Sequence, residues 1–343
     1  MKIVAVCDHF MKESFYVECF KNHPELELIA TPYFGPDNRN DMRVISHRLE
    51  HQGPYSVPLP DGLIEAVAEA EILMVHLCPV TEQLIAAAPK LKYILLNRGG
   101  MENVDREAAR KRGIHLINNP AHNSNAVAEL AVCMMICEMR NVARSHNALK
   151  NGEWYETYEN VGRVFELRNK TIGIVGFGTI GRLVAEKLQT FRVRLLATDP
   201  NVTPDDPDLA RLNVTLTDPD TLLSTADVVT LHARTDDKSV VLGARELDLL
   251  KPDAVFVNTA RAYLVDYDHL AKLLQEKKIL GAALEVFPTE PLPKDNVFVQ
   301  LNNVTMTNHR GGDTVNCFSD SPADLIEAMF RHMKGETPKF LVF

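Results

Sequence analysis

The chain has 343 residues, enough for two domains that each bury a core of their own. Apolar and charged fractions of 45% and 24% are those of an ordinary globular protein, and a formal net charge of −9 argues against a surface that coats nucleic acid. The longest apolar stretch, Leu130 to Cys137, is too short to span a bilayer, and no signal-peptide core precedes the first strand, so a cytoplasmic protein is expected. Six cysteines, at 7, 19, 78, 133, 137 and 317, show neither a C-x-x-C pair nor metal-ligand spacing. Cys133 and Cys137 share one face of an apolar helix and read as buried small hydrophobes.

Strand-like and helix-like runs alternate along almost the whole chain, the pattern of parallel sheets covered by helices. Residues 2–7 read as a strand, 11–21 as an amphipathic helix and 26–30 as a second strand. Pro32, Gly35 and Pro36 mark a loop. A helix is expected over 61–70, strands over 72–77 and 93–96, a helix over 105–112 and a strand over 114–117. Residues 125–150, free of Gly and Pro and capped by Asn123 or Ser124, read as one long helix. The aromatic segment around Trp154, Tyr155 and Tyr158 reads as an irregular arm or cover. Further strands are expected near 171–175, 193–198, 227–232, 254–258, 280–284 and 303–306, and a last helix over 321–333. The fold class is therefore α/β, with two Rossmann-like, doubly wound parallel-sheet domains. The first is discontinuous (residues 1–120 with 311–343) and the second spans 121–310.

The most specific motif is Gly176-Phe-Gly178-Thr-Ile-Gly181, set between an apolar strand and a helix. Gly176 permits a tight turn, Gly178 lets the backbone approach a pyrophosphate, and Gly181 lets the helix pack close to the strand. Asp199 closes the next apolar run, 18 residues beyond Gly181, where a carboxylate can accept hydrogen bonds from both ribose hydroxyls. The combination implies a dinucleotide, and NAD rather than NADP, because a 2′-phosphate beside Asp199 would juxtapose like charges. Three polar residues follow later strands: Arg261, Glu290 and His309. They suit hydride exchange beside a carboxylate. A guanidinium grips the carboxylate through two bonds, an imidazole exchanges the proton of the neighbouring oxygen, and a glutamate orients the imidazole. His9, His76, His122 and His232 are weaker candidates near strand ends, with His122 or His232 able to line a site without transferring protons.

Pro89-Lys-Leu-Lys, Gly100-Met-Glu-Asn-Val-Asp105, Ala126-Val-Ala-Glu129, the glycine motif, Val257-Asn-Thr-Ala-Arg261, Gly281-Ala-Ala-Leu-Glu-Val-Phe287, Glu290-Pro-Leu and His309-Arg-Gly-Gly occur in that order. In this the chain resembles the D-2-hydroxyacid dehydrogenase family, in its branch of phosphoglycerate dehydrogenases and glyoxylate/hydroxypyruvate reductases. The resemblance implies an NAD-dependent enzyme that interconverts a small D-2-hydroxy acid and its 2-keto acid in a cleft between its two domains. It places the catalytic roles on Arg261, Glu290 and His309, with Arg98, Gly99, Gly100 and Met101 as a loop that binds the substrate carboxylate. Cofactor contacts would come from Gly176, Phe177, Gly178, Thr179, Ile180, Gly181, Asp199, Ala233, Thr259, Ala260, Glu285, His309, Gly311 and Gly312. It also implies a homodimer, with no metal, nucleic-acid or membrane partner. Three positions depart from the family pattern: Glu285 stands where an aspartate bonds the nicotinamide carboxamide, Ala262 where a glycine follows the arginine, and Asn308 where a proline precedes the histidine. Glu285 is expected to fold back its extra methylene and still reach. The rival readings are a formate dehydrogenase, whose histidine pairs with a glutamine rather than a glutamate, and an NAD(H)-sensing corepressor of the same fold.

Overall fold

Short, largely apolar runs of three to five residues, too short for a stable helix, form the strands of this protein, and the central ones are buried on both faces. The structure is a computed structural model that describes residues 1–235, 237–338 and 340–343. It divides into two units: Met1–Asn123 together with Thr314–Phe343, and Ser124–Asp313.

In the first unit, β1 (Lys2–Ala5), β2 (Glu27–Ala30), β3 (Ile72–Val75), β4 (Tyr93–Leu96) and β5 (His115–Asn118) form a parallel sheet in the order β2-β1-β3-β4-β5. Alternate side chains enter two cores. Val4, Leu73, Ile94 and Leu116 pack with Met42, Leu49, Leu63 and Leu84 from helices on one face. Ile3, Met74, Leu95 and Ile117 pack with Tyr16, Leu325 and Met329 on the other.

The second unit contains β6 (Thr171–Val175), β7 (Arg194–Thr198), β8 (Val214–Leu216), β9 (Val228–Leu231), β10 (Val255–Asn258), β11 (Gly281–Leu284) and β12 (Val304–Met306). Their order is β12-β11-β10-β9-β6-β7-β8, every pairing parallel. Both sheets reverse their winding at one place, between β1 and β3 in the first and between β6 and β9 in the second. Open α/β sheets bind ligands outside the carboxyl ends of their strands at such switch points.

Several expectations are corrected. The long helix expected over 125–150 is two helices, Ser124–Met139 and Val142–Lys150, with Asn141 between them at φ +55°. Asparagine tolerates that left-handed conformation, and a buried ion pair holds the break. Arg144 donates to the Glu138 carboxylate at 2.5 Å and to Asn141 Oδ1 at 3.0 Å, while Thr305 Oγ1 donates to Glu138 Oε2 at 2.7 Å. Cys133 is exposed and Cys137 half-buried, their sulfurs 3.8 Å apart, so they are not core residues. The first helix is apolar all round, and composition could not say which face turns inward. The stretch 61–70 is a single α-turn, Leu63–Ala66, continued by a 3₁₀ turn to Glu69. The short strand β8 and the 14-residue helix Arg39–Gln52 were not anticipated; that helix buries only Met42 and Leu49, too few apolar positions to show a period.

Candidate functional site

The glycine motif closes β6 and opens the helix Thr179–Leu188. Gly176 has φ +92°, and a Cβ there would lie 2.4 Å from the Ala233 nitrogen, so only glycine allows the turn to touch the end of β9. A Cβ on Gly181 would lie 2.2 Å from the Gly176 oxygen, which makes this the close helix–strand approach. Around Gly178 a Cβ would meet nothing within 4 Å, leaving room over the backbone beside the helix start, the positive end of its dipole. Asp199 Oδ2 accepts from the Phe177 N–H at 2.8 Å and Oδ1 from the Asn201 N–H at 2.8 Å, which fixes the carboxylate against the turn. The Phe177 ring is wholly buried, so this residue offers only its main chain, and its amide is already engaged. Thr179, Ile180 and Ala233 are half-buried at the same turn.

Beyond β9 and β10 the structure leaves two polar atoms sealed without a partner among the described residues, His232 Nδ1 and Thr259 Oγ1. His232 Nε2 lies 2.9 Å from Thr230 Oγ1, and burial pushes the imidazole down to about 3, so the ring is neutral at any working pH. An unpaired buried polar atom costs about 1–3 kcal/mol. Two of them on neighbouring strand ends, next to a glycine turn with open space over Gly178, fit a bound polar ligand.

Arg261, Glu285 and His309 follow β10, β11 and β12, three adjacent strands, so all three share the carboxyl edge of the second sheet. Asn258, the last residue of β10, anchors the arginine turn. Its Oδ1 accepts from the Ala260 N–H at 2.9 Å, and its Nδ2 donates to the Arg261 oxygen and to the Tyr267 hydroxyl, both at 3.2 Å. Tyr267 in turn donates to the Val286 oxygen at 2.5 Å. The Arg261 side chain is exposed, touches the Ala260 oxygen at 2.8 Å, and has no carboxylate partner among the described residues. His309 has φ +53°, held by its N–H bond to the Glu285 oxygen at 3.0 Å. Its Nδ1 lies 2.8 Å from Glu290 Oε2, while Glu290 Oε1 accepts from the Phe287 N–H at 2.9 Å. That arrangement leaves the imidazole Nε2 for chemistry. Glu285 is buried, which pushes its carboxyl up against the opposing pull of the Gly311 N–H; Oε1 accepts that bond at 2.7 Å. The Glu285 carboxylate is thus engaged with the loop that carries His309, Gly311 and the half-buried Gly312.

Loop 98–101 belongs to the first unit and follows β4. Arg98 Nη2 meets Glu50 at 2.8 Å and Glu102 at 3.7 Å, while its Nη1 is buried with no hydrogen-bond partner among the described residues. The loop is pinned by Asn118 Nδ2, which donates to the Gly99 oxygen at 2.7 Å. The amides of Gly99, Gly100 and Met101 also have no acceptor among the described residues, so the loop has a guanidinium nitrogen and its main chain to offer an anion. In the same unit, burial pushes His122 down to about 4. Sequence reasoning missed Asn258 and Tyr267; the asparagine is visible in Val-Asn-Thr-Ala-Arg, but nothing in the sequence marks the tyrosine. It also missed a buried Asp8–His76 pair.

The sequence model of the D-isomer specific 2-hydroxyacid dehydrogenase NAD binding domain matches residues 132–311. The glyoxylate reductase of Thermococcus litoralis is 32% identical over 313 residues, 90% of this chain and 94% of that one. The putative 2-hydroxyacid dehydrogenase YoaD of Bacillus subtilis is 34% identical over 283 residues, 80% of each chain. The D-3-phosphoglycerate dehydrogenase of Methanocaldococcus jannaschii is 34% identical across 82% of this chain, which spans about half (53%) of that protein's length. Among solved structures, the NAD complexed D-isomer specific 2-hydroxyacid dehydrogenase of Lactobacillus delbrueckii superposes over the whole of both chains with a TM-score of 0.76 at 20% identity, a likeness of fold.

Proposed function

Because the chain belongs to the D-isomer specific 2-hydroxyacid dehydrogenase family and is an NAD-dependent oxidoreductase, we propose that it interconverts a small D-2-hydroxy acid and its 2-keto acid with His309 as the acid/base. The observation that carries this reading is the His309–Glu290 hydrogen bond of 2.8 Å on a half-exposed imidazole, set on the same sheet edge as the Arg261 guanidinium, which has no carboxylate partner among the described residues.

The glycine turn, Asp199, Ala233, Thr259 and the half-buried His232 are the residues that would hold NAD, which when bound gives or takes the hydride at the substrate's C2. Arg261 binds the substrate carboxylate through two parallel N–H bonds, in a turn that Asn258 and Tyr267 keep rigid. The free amides of loop 98–101 are proposed as further donors to that carboxylate. In the reducing direction His309 Nε2 donates its proton to the keto oxygen, and in the oxidising direction it removes the hydroxyl proton. Glu290 holds the Nδ1 side and so fixes the tautomer and the ring. Glu285 positions His309 by anchoring the loop on both sides of it, through the His309 and Gly311 amides.

An NADH-oxidation screen across glyoxylate, hydroxypyruvate, pyruvate and phosphohydroxypyruvate, run beside His309→Ala, tests the reading. Turnover of at least one acid that collapses in the variant supports it, and turnover untouched by the substitution ends it. A homodimer is proposed on the exposed arm residues Trp154, Tyr155 and Val161, which are 80%, 53% and 66% accessible. Sedimentation velocity reads it, a single-chain mass refuting it. Unpaired thiols at all six cysteines favour a reducing, cytoplasmic setting; secretion of the native protein would contradict that.

A further inference from the structure

The helix Arg39–Gln52 in the first unit buries only Met42 and Leu49, and its solvent side carries two imidazoles one turn apart. His47 and His51 are both exposed, their rings stacked with centroids 4.1 Å apart and planes at 25°. Residues four apart on a helix share one face, so the helix alone holds the pair together. His51 Nδ1 lies 2.8 Å from the His47 oxygen. A carbonyl can only accept, so Nδ1 carries the proton and the Nε2 lone pair of the neutral ring is free. That is the tautomer of a metal ligand, whose other ring N–H characteristically donates to a backbone carbonyl or a carboxylate. His51 also lies in the last turn of the helix, where the negative end of the dipole favours a cation.

We propose that His47 and His51 form a site for a divalent transition-metal cation of the Zn²⁺, Ni²⁺ and Cu²⁺ class, chelated by the two Nε2 atoms. Imidazole suits these ions, whereas Mg²⁺ and Ca²⁺ take oxygen ligands. Two nitrogens bound to a tetrahedral Zn²⁺ stand about 3.3 Å apart, a spacing that rings stacked at 4.1 Å reach by a small tilt. Each ring gives a lone pair and the cation sheds two waters, with no change of oxidation state. The spacing His47-Arg-Leu-Glu50-His51 is also that of a zinc-hydrolase helix motif, in which a glutamate beside the metal acts on its bound water. Here Glu50 is committed elsewhere: its Oε1 accepts from Ser46 Oγ at 3.1 Å and from Arg98 Nη2 at 2.8 Å. No third His, Cys, Asp or Glu completes a ligand set among the described residues, so water fills the remaining positions and the site binds without hydrolysing. It lies wholly within the first unit and does not depend on the hydride chemistry proposed above.

The test is isothermal titration of ZnCl₂ into the intact chain, with MgCl₂ as the control, for the wild type, His47→Ala, His51→Ala and the double variant. The wild type should bind a Zn²⁺ that excess Mg²⁺ does not displace. Each single variant should weaken that binding by about tenfold or more, because the second bond of a chelate is intramolecular. The double variant should be little weaker than either single one, since a lone imidazole does not chelate. Both side chains are exposed, so melting temperatures without metal should match wild type, while the rise that Zn²⁺ gives the wild type should vanish in the variants. Electron paramagnetic resonance of bound Cu²⁺ should show two imidazole nitrogens in the wild type and fewer in either single variant. No zinc binding by the wild type, displacement by Mg²⁺, or an affinity that neither substitution changes overturns the proposal. Single variants that each halve the stoichiometry at unchanged affinity would mean two separate ligands, and they overturn the chelate as well.

Discussion

Each unit of the chain holds an imidazole against a carboxylate, at nearly the same separation: 2.9 Å for His76–Asp8 and 2.8 Å for His309–Glu290. Their surroundings differ. The first pair is 9% and 2% accessible, the second 44% and 36%. In the sealed pair the charge on Asp8 has no water to fall back on, so the fold depends on all three of its hydrogen bonds, from His76 and from the Phe10 and Met11 N–H groups. In the open pair either partner can be hydrated when the other is lost, so the contact contributes little to stability and its ring can exchange a proton with a reactant. The same two groups thus serve to fix an imidazole in one place and to make it work in the other. Burial, not distance, separates the two uses.

The largest expected effect is on turnover. His309→Ala should lower kcat by about 10²–10⁴-fold and leave the urea midpoint close to wild type. Asp8→Ala should do the reverse to stability, with urea melts showing a loss of about 3–5 kcal/mol, the cost of stranding one member of a buried pair. Equal stability losses in the two variants would erase the distinction drawn above. Glu290→Gln keeps a hydrogen-bonding side chain but no charge, and should cost a smaller part of the same rate. Because Glu290 acts through His309, the double variant should be no slower than His309→Ala alone; a further drop would mean that the glutamate has a role of its own.

How much of this was legible in the sequence followed the same division. The glycine turn was readable because Gly176 and Gly181 each answer a close contact that no other residue allows. Arg261, Glu290 and His309 were readable because polar residues interrupt apolar strands at their carboxyl ends. The Asp8–His76 pairing was not: His76 stood out only as one of several histidines near strand ends, and its partner lies 68 residues away. The break at Asn141 was hidden because the signal is one left-handed residue and a returning arginine, with no Gly or Pro to mark it. That Glu50, on a helix with hardly any apolar period, reaches back to one side of Arg98 was not visible in the sequence.

A smaller effect concerns the cofactor. Asp199 is fixed by two backbone amides with its charge facing no cation within ion-pair distance among the described residues. Asp199→Ser should raise the NADPH-to-NADH ratio of kcat/KM by about tenfold or more, since the repulsion removed is on the order of 1–2 kcal/mol near a surface. An unchanged ratio would remove Asp199 from cofactor choice.

The smallest effect extends the comparison to imidazoles that have no carboxylate at all. His232 and His122 are pushed down to about 3 and about 4 by burial, one in each unit. Unfolded, both titrate near 6.5, so between that value and the folded one the unfolded chain binds more protons, and stability falls as pH drops. The window opens below about 6.5 and closes near 4 for His122 and near 3 for His232. Asp8, whose folded value is lowered, adds its own loss only further into acid, below its unfolded value near 4. The two imidazoles should therefore lower thermal melts by a few degrees from pH 8 to 4.5, against the opposite contribution of Glu138, Glu285 and Asp324, whose carboxyls burial pushes up. His232→Gln retains a group to meet Thr230 but cannot take up a proton in this range, so it should flatten the curve; a slope parallel to wild type would mean that the ring is not held neutral by burial.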